Sequence, residues 1–224
     1  FIFFIYLVYS LFSHIPRWDI IRNALIYGLP IIPHKIIGTF NVIADKYFLV
    51  QLRGLYDMGI YSVTLRFVGL LIIFQGAFSL AWNPFKFKIY NTYTEQEAKK
   101  ILGKIATYAY WVFLLIWFII VSFSEELIKI MTTPDYYNAY YVVPVLGMAN
   151  IFQYLYEIFS SSIGFKKKTF YFPIITITGC MVNIILNILL IPRLGMYGAA
   201  IGTVGSMGII FILAFFIGRR CFSF

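Results

Sequence analysis

The sequence predicts an all-α fold, that of a polytopic membrane protein with six complete transmembrane helices. The chain has 224 residues, of which 61% are hydrophobic and only 12% are charged, and its mean hydropathy is +0.84. A soluble domain of ordinary composition is far less apolar. Apolar runs of about 20 residues, the length that crosses a bilayer core of roughly 30 Å, recur along the whole chain.

Six such runs define the predicted elements in chain order. We place the spans near 26–50, 56–81, 105–123, 138–163, 170–191 and 196–218. The opening segment FIFFIYLVYSLF is too short to span, and it lacks an initiator Met and a basic n-region, so we interpret it as the tail of an earlier span. The predicted organisation is therefore a tail and linker at 1–25, followed by a six-helix lobe at 26–224.

The distribution of positive charge predicts the orientation of these spans. One set of alternate loops carries twelve of the 18 Lys and Arg residues, the opposite set carries three, and the remaining three fall inside spans. Because cytoplasmic loops are enriched in Lys and Arg, both ends of the chain are predicted to be cytoplasmic. The twelve are Arg17, Arg22, Lys86, Lys88, Lys99, Lys100, Lys104, Lys166, Lys167, Lys168, Arg219 and Arg220. The net charge of +9 thus follows membrane topology and does not support nucleic-acid binding.

Two connecting segments have helical signals. Thr94 and Glu97 have the spacing of a capping box, which predicts a short helix inside the longest basic connection. On the opposite side, SEELIKIMTTPDYYN predicts a short interfacial helix that ends by Pro134. Neither segment has the features of a catalytic loop.

The sequence lacks recognisable catalytic and metal-binding motifs. No HExxH, Walker A, GxSxG or Rossmann pattern occurs, and His14, His34, Cys180 and Cys221 are isolated from one another. We therefore expect no catalytic residue, no metal site and no cofactor. The residues predict a membrane protein that is not an enzyme.

A glutamate within the fourth predicted span marks the first candidate site. Glu157 lies on one helical stripe with other polar or small residues, namely Asn150, Gln153, Tyr154, Ser161 and Gly164. An unsatisfied polar group in hydrocarbon is costly, so this stripe must face other helices or a watery cavity. Two interpretations remain open: a glutamate that anchors helix packing, and a stripe that lines a cavity.

Three cations within the spans mark the second candidate site. Lys35 and Lys46 are eleven residues apart, about 20° from three full helical turns, and so share one face of the first span. Arg66 lies in the second span, beside small residues that allow close helix approach. Asp45 is available as a partner for Lys46 or for a cation on another helix. Each cation either binds an anionic, for instance phosphorylated, ligand or is satisfied by snorkelling or an internal ion pair.

Other intramembrane features predict packing and bending. Pro30 and Pro33 lie in the first turns of the first span and predict a hinge there. Thr176, Gly179, Asn183 and Asn187 align on the fifth span, and Gly198, Gly202 and Ser206 form a small-residue face on the sixth. We expect the faces of the fifth and sixth spans to serve helix packing more than substrate contact.

Four motifs across the first two spans resemble those of polysaccharide (O-antigen type) repeat-unit flippases. They are GLPIIP at 28–33, DKYFL at 45–49, GIYS at 59–62 and AWNPF at 81–85, in the order found in the seventh and eighth spans of that family. The segment at 183–206 is similar to the eleventh and twelfth spans, which multidrug and toxin extrusion transporters resemble more loosely. The resemblance covers essentially the whole chain.

The resemblance implies a fold and a function. The chain would be the C-terminal six-helix lobe of a two-lobe, twelve-helix flippase whose N-terminal lobe lies outside this sequence. Such a protein moves undecaprenyl-diphosphate-linked oligosaccharide repeat units across the bacterial inner membrane by alternating access, for O-antigen lipopolysaccharide, capsule or exopolysaccharide. Coupling to a proton or a sodium ion is also implied, and a polysaccharide polymerase and a chain-length regulator are expected partners beside membrane lipids.

The resemblance and the residues together define a hypothetical cavity. Lys35, Lys46 and Arg66 would attract the diphosphate. Sugar hydroxyls would contact the polar stripe of Asn150, Gln153, Tyr154 and Glu157. Asp45 and Glu157 are the candidates for ion coupling. Of these residues, only Asp45 and Lys46 lie inside a motif of the family.

Three alternative functions remain. A multidrug or cation antiporter of the same superfamily would favour an acidic cavity, which the intramembrane Lys and Arg residues argue against. A membrane glycan-assembly enzyme, such as a polymerase or a glycosyltransferase, usually has a large outer loop or an acidic catalytic motif, and the predicted outer loops are short. A non-transporting scaffold of the same fold is the third.

Overall fold

A computed structural model of the chain describes residues 18–222. Within that range the backbone is helical almost throughout, with no strand, which confirms the predicted fold class. In chain order the elements are α1 (Trp18–Gly28), α2 (Ile31–Arg53), α3 (Leu55–Thr92), α4 (Glu95–Ser122), α5 (Ser124–Met131), the 3-10 helix η1 (Pro134–Tyr141), α6 (Val143–Phe165), α7 (Tyr171–Leu194) and α8 (Met196–Cys221). The opening segment interpreted as the tail of a span lies outside the described residues.

Four of these helices, α3, α4, α7 and α8, are long and apolar enough to cross a membrane. A fifth candidate is the pair of η1 and α6, which are bent by 44° at their junction. Of the six predicted spans, four or five therefore have a helix of sufficient length and apolar composition. The remaining one, α2, has 23 residues but contains Lys35, Asp45, Lys46 and Arg53, so its composition is too charged to qualify.

α3 is longer than predicted, so that Lys86 and Lys88 belong to the helix and not to the loop after it. The predicted span ends at 81, but α3 continues through Pro84 to Thr92. Trp82, Lys86 and Ile89 continue its buried face, so tertiary packing retains the helix where proline would otherwise interrupt it. The charge pattern predicted Lys86 in a solvated loop. This prediction is wrong, because Lys86 is a buried residue of α3.

The connecting segments largely follow the prediction. The Thr94–Glu97 capping box is present, although the helix that it begins, α4, has 28 residues and continues into the membrane span. The short helix α5 forms as predicted, and Pro134 then begins η1. The hinge expected near Pro30 corresponds to a break in the helix, since α1 ends at Gly28 and α2 begins at Ile31.

Close helix packing confirms the small-residue faces of α7 and α8. A Cβ built on Gly198 would lie 2.5 Å from the carbonyl carbon of Leu190, and one on Gly202 would lie 2.7 Å from the Asn187 side chain. On α7, a Cβ on Gly179 would collide with Ile210. Glycine is therefore required where the two helices pack, as expected for small residues between membrane helices.

Helices α2, α6, α7 and α8 assemble around these contacts. α8 packs along α6 and α7, and α2 packs against α7 and touches α8. α3 contacts α2, α4, α6 and η1. Apolar side chains such as Ile72, Trp111 and Leu189 are exposed on the outside of the helices, where a bilayer would cover them. This arrangement brings the polar faces of α2, α3, α6, α7 and α8 inward.

Candidate functional site

A buried carboxylate lies where α2, α3, α7 and α8 meet. Asp45 on α2 is only 4% exposed. Its Oδ1 accepts hydrogen bonds from Asn187 Nδ2 at 2.7 Å and Asn183 Nδ2 at 3.0 Å, both on α7. Its Oδ2 accepts from Thr203 Oγ1 on α8 at 2.7 Å and from the Tyr61 hydroxyl on α3 at 3.2 Å. Neutral donors from three helices therefore satisfy one acid, and no cation within residues 18–222 forms an ion pair with it.

This network leaves further polar atoms buried and unpartnered. Both side-chain atoms of Asn41, one turn before Asp45 on α2, have no hydrogen-bond partner, and neither has Asn187 Oδ1. Buried polar groups without a partner are rare and call for an explanation. Carboxylate and amide oxygens are the ligands that hard cations prefer, so the group suits a small cation as well as a proton.

One hydroxyl of the network has a choice of acceptors. Thr203 Oγ1 lies 2.7 Å from Asp45 Oδ2 and 3.0 Å from the carbonyl oxygen of Ala199. Because a hydroxyl has a single proton, Thr203 can donate to an ionised Asp45, or donate to Ala199 and accept from a protonated Asp45. The network can therefore accommodate both protonation states without moving a helix.

A second polar network joins α3 to α6. Ser79 donates to Oε1 of the half-buried Glu157 at 2.5 Å. One turn further on, Lys86 Nζ donates to Ser161 Oγ at 3.0 Å, and Ser161 in turn donates to the backbone carbonyl of Glu157 at 2.8 Å. Glu157 thus contacts another helix and also lies near the ammonium of Lys86, a residue that is only 7% exposed although the charge pattern predicted it in a loop.

The predicted polar stripe on α6 divides between packing and partial exposure. Tyr154 is 1% exposed, donates to the carbonyl of Ala106 on α4 at 2.9 Å, and stacks on Phe113. Its hydroxyl is therefore unavailable to a ligand in this conformation, and the expectation that it solvates sugars is not supported. Asn150 donates back to Leu146 of its own helix, and Gln153 is half-buried. The helical periodicity of about 100° per residue groups these side chains on one face, but it does not tell which of them pack against a neighbouring helix.

The three intramembrane cations do not cluster with the carboxylates. Lys35 is exposed and Lys46 half-buried on the flank of α2, while Asp45 points into the bundle. Arg66 lines a cavity of about 440 Å³ between α3, α5 and η1, together with Met58, Gly59, Ser62, Val63, Met131, Thr132, Thr133 and Tyr136. No acidic side chain among the described residues pairs with any of the three. Arg66 therefore presents an uncompensated guanidinium to an open cavity.

Several residues of these networks were not among the predicted site residues. Tyr61, Thr203 and Lys86 were missed, and Asn183 and Asn187 were assigned to packing more than to substrate contact. The signal for the asparagines was present in the sequence, since two amides four residues apart on an otherwise apolar helix share one face and need polar partners. No group of three or more His, Cys, Asp or Glu residues that could hold a metal occurs in the described part of the chain.

The helices and the polar networks between them define a multi-pass membrane protein. Residues 30–189 match the model of the MatE family, which is more than half of the chain, and the chain therefore belongs to the MatE family. This membership places it in the superfamily of multidrug, oligosaccharidyl-lipid and polysaccharide exporters. The matched range includes the Asp45 network on α2, α3 and α7 as well as the contacts between α3 and α6.

A curated relative is the probable low-salt glycan biosynthesis flippase Agl15 of Haloferax volcanii. The two sequences are 23% identical over 152 residues, which cover 68% of this chain and 32% of the relative. The match therefore spans about a third of the length of that protein. No solved structure gives a significant match.

Proposed function

We propose that the protein containing this chain is a flippase for lipid-linked oligosaccharides. MatE family membership and the similarity to a glycan biosynthesis flippase support transport of this class. The observation that carries the proposal is Arg66, a guanidinium without an acidic partner that lines a cavity of about 440 Å³. A diphosphate offers the planar oxygen pairs that arginine binds bidentately. An undecaprenyl-diphosphate-linked repeat unit is the substrate we infer.

Cations and polar side chains have separate roles in this proposal. Arg66 binds the diphosphate, and Lys35 and Lys46 attract it from the flank of α2, where they remain accessible. Asn150 and Gln153, both half-buried on α6, hydrogen-bond sugar hydroxyls. Tyr154 is reassigned to packing, because its hydroxyl is already bonded to α4.

Ion coupling is assigned first to Asp45. Its carboxylate, the unpartnered amide of Asn41 and the free Asn187 oxygen are buried together near one another on α2 and α7, which suits either a proton or a sodium ion. Binding there would pull α2, α7 and α8 together, since these helices supply the donors and oxygens. Glu157 is the second coupling candidate, because its contact with Ser79 can break when α3 and α6 separate.

The proposed setting is the inner membrane of a bacterium, with both ends of this chain in the cytoplasm. The excess of Lys and Arg in alternate loops supports that orientation. This lobe would alternate with a second lobe around a shared cavity. A polymerase and a chain-length regulator would then act on the exported repeat unit.

Deletion of the full-length gene tests the substrate class. We expect completed lipid-linked repeat units to accumulate in lipid extracts while surface polysaccharide disappears, and the wild-type gene to reverse both changes. If the lipid-linked intermediates remain at wild-type levels and sensitivity to cationic drugs rises, the protein is a multidrug antiporter. In that case the cations of α2 and α3 have a packing role.

A further inference from the structure

One end of the described bundle carries a dense positive surface. It combines the ends of α3 and α8, the start of α4 and the connection between α6 and α7. Its cations are Lys88, Lys99, Lys100, Lys104, Lys166, Lys167, Lys168, Arg219 and Arg220, against the acids Glu95 and Glu97 in the same segments. Glu95 is already engaged by Lys99 at 3.0 Å. Most of this charge is exposed, and within residues 18–222 the pair of Lys99 and Glu95 is the one salt bridge that these segments form.

Aromatic side chains pack between the helices at this end of the bundle. Tyr90 of α3 stacks on Phe165 of α6 with ring centroids 4.4 Å apart, and Phe165 contacts Phe222 at the end of α8 at 5.4 Å. Lys99 Nζ of α4 lies 5.2 Å above the Phe222 ring. Aromatic side chains beside Lys and Arg at the ends of apolar helices are typical of the headgroup region of a membrane. This combination of aromatic rings and cations is the one expected at the depth of phospholipid phosphates.

The three consecutive lysines occupy a backbone motif that ordinarily contains glycine. After α6, the Lys167 amide donates to the Gly164 carbonyl at 3.0 Å, and the Lys168 amide donates to the Ile163 carbonyl at 3.1 Å, which is the pair of bonds of a Schellman motif. Lys167 then has φ of +56°, a left-handed conformation that is costly for a residue with a Cβ. Lys167 therefore lies at a position whose backbone conformation favours glycine, and its ammonium group is exposed there.

We propose that Lys166, Lys167 and Lys168, together with Arg219 and Arg220, bind the phosphate of an anionic phospholipid headgroup. The strained lysine and its neighbours provide the charge, and the aromatic cluster anchors them at headgroup depth. A lipid is favoured over a soluble anion because two apolar helices that can span a membrane have a terminus at this surface, where α4 begins and α8 ends. This site is distinct from the Arg66 cavity, which lies beside α5 and η1.

Native mass spectrometry of the purified full-length protein, titrated with phosphatidylglycerol or phosphatidylcholine, tests this site. We expect phosphatidylglycerol to be retained in preference to phosphatidylcholine. Replacement of all three lysines by glutamine is expected to weaken phosphatidylglycerol binding by about a hundredfold, or about fivefold per lysine. Lys129→Gln, on α5 beside η1, is the matched control and should leave binding unchanged.

Two further experiments distinguish the role of the Lys167 side chain from that of its backbone, and binding of a lipid from binding of a soluble anion. Lys167→Gly relieves the left-handed strain, so we expect a higher Tm with weaker phosphatidylglycerol binding, which a general loss of folding cannot produce. Equal retention of both lipids, or undiminished phosphatidylglycerol binding by the triple variant, would overturn the proposal. Displacement of the lipid by equimolar inorganic pyrophosphate would overturn it as well, because the site would then recognise a soluble phosphate.

Discussion

Asn187 on α7 donates its side-chain amide to the buried carboxylate of Asp45 on α2 at 2.7 Å, across 142 residues of sequence. The same amide nitrogen also reaches Asn183 Oδ1 at 3.1 Å. The two asparagines and the aspartate therefore form a continuous hydrogen-bonded group inside the bundle. In the proposed transporter, the occupancy of this group by a proton or a cation would set how tightly α2 holds α7.

Asp45→Asn in the full-length protein should reduce export at least tenfold while the protein remains folded. The amide preserves the size of the side chain but removes the charge that a coupling ion needs. The measurement is surface polysaccharide at matched expression. Asp57→Asn is a suitable control, because Asp57 lies at the start of α3 and contacts Arg53 outside the buried network. Normal export by Asp45→Asn would exclude ion coupling at this residue.

Glu157→Gln should lower export without loss of expression. Glutamine can still accept from Ser79, so the contact between α3 and α6 is retained while the titratable group is lost. Ser79→Ala tests the contact alone and should affect export less if the charge is what matters. Wild-type export by the Glu157→Gln protein would assign Glu157 to packing.

A double-mutant cycle tests the buried ammonium of Lys86. Ser161→Ala removes the hydroxyl that Lys86 contacts, and a buried donor left without its partner costs about 1–3 kcal/mol. Lys86→Met should restore most of the thermal stability in that background, since the buried ammonium that lost its partner is then absent. Additive effects of the two substitutions on Tm would show that the two side chains do not interact.

Gly198→Ala should destabilise the protein by about 1–3 kcal/mol, because the new Cβ would overlap the backbone of Leu190 on α7. Gly208→Ala is a matched control on the same helix, where the nearest neighbouring atom is 3.9 Å from the built Cβ. Thermal unfolding of the purified protein measures the difference. Similar Tm values for both variants would contradict the close packing of α7 and α8.

The sequence predicted the helices more completely than their contacts. Hydropathy and the capping signal located α3, α4, α7 and α8, because each residue reports locally on burial and helix termination. It could not place Lys86, whose burial depends on Ser161 of another helix. The 100° periodicity grouped Tyr154 with Glu157, but only the position of α4 decides that Tyr154 is enclosed.

The Asp45 group illustrates the same limit. The family motif at 45–49, inside a predicted span, made Asp45 a candidate for ion coupling, whereas the paired asparagines of α7 were assigned mainly to helix packing. Their association required the packing of α2 on α7, which no local pattern encodes. Tyr61 lies in the GIYS motif at 59–62 and Thr203 in the family-like segment at 183–206, but neither pattern names a partner. Only the fold identifies the two hydroxyls as donors to Asp45.

Reconstitution of the full-length protein in proteoliposomes is a direct test of whether it translocates lipid-linked oligosaccharides. A lipid-linked oligosaccharide is incorporated in the inner leaflet, and its appearance outside is measured by cleavage with an external glycosidase. We expect ion-dependent translocation that Arg66→Gln reduces at least tenfold and Lys129→Gln leaves unchanged. No translocation by the wild-type protein, with transport of cationic drugs in the same vesicles, would contradict it.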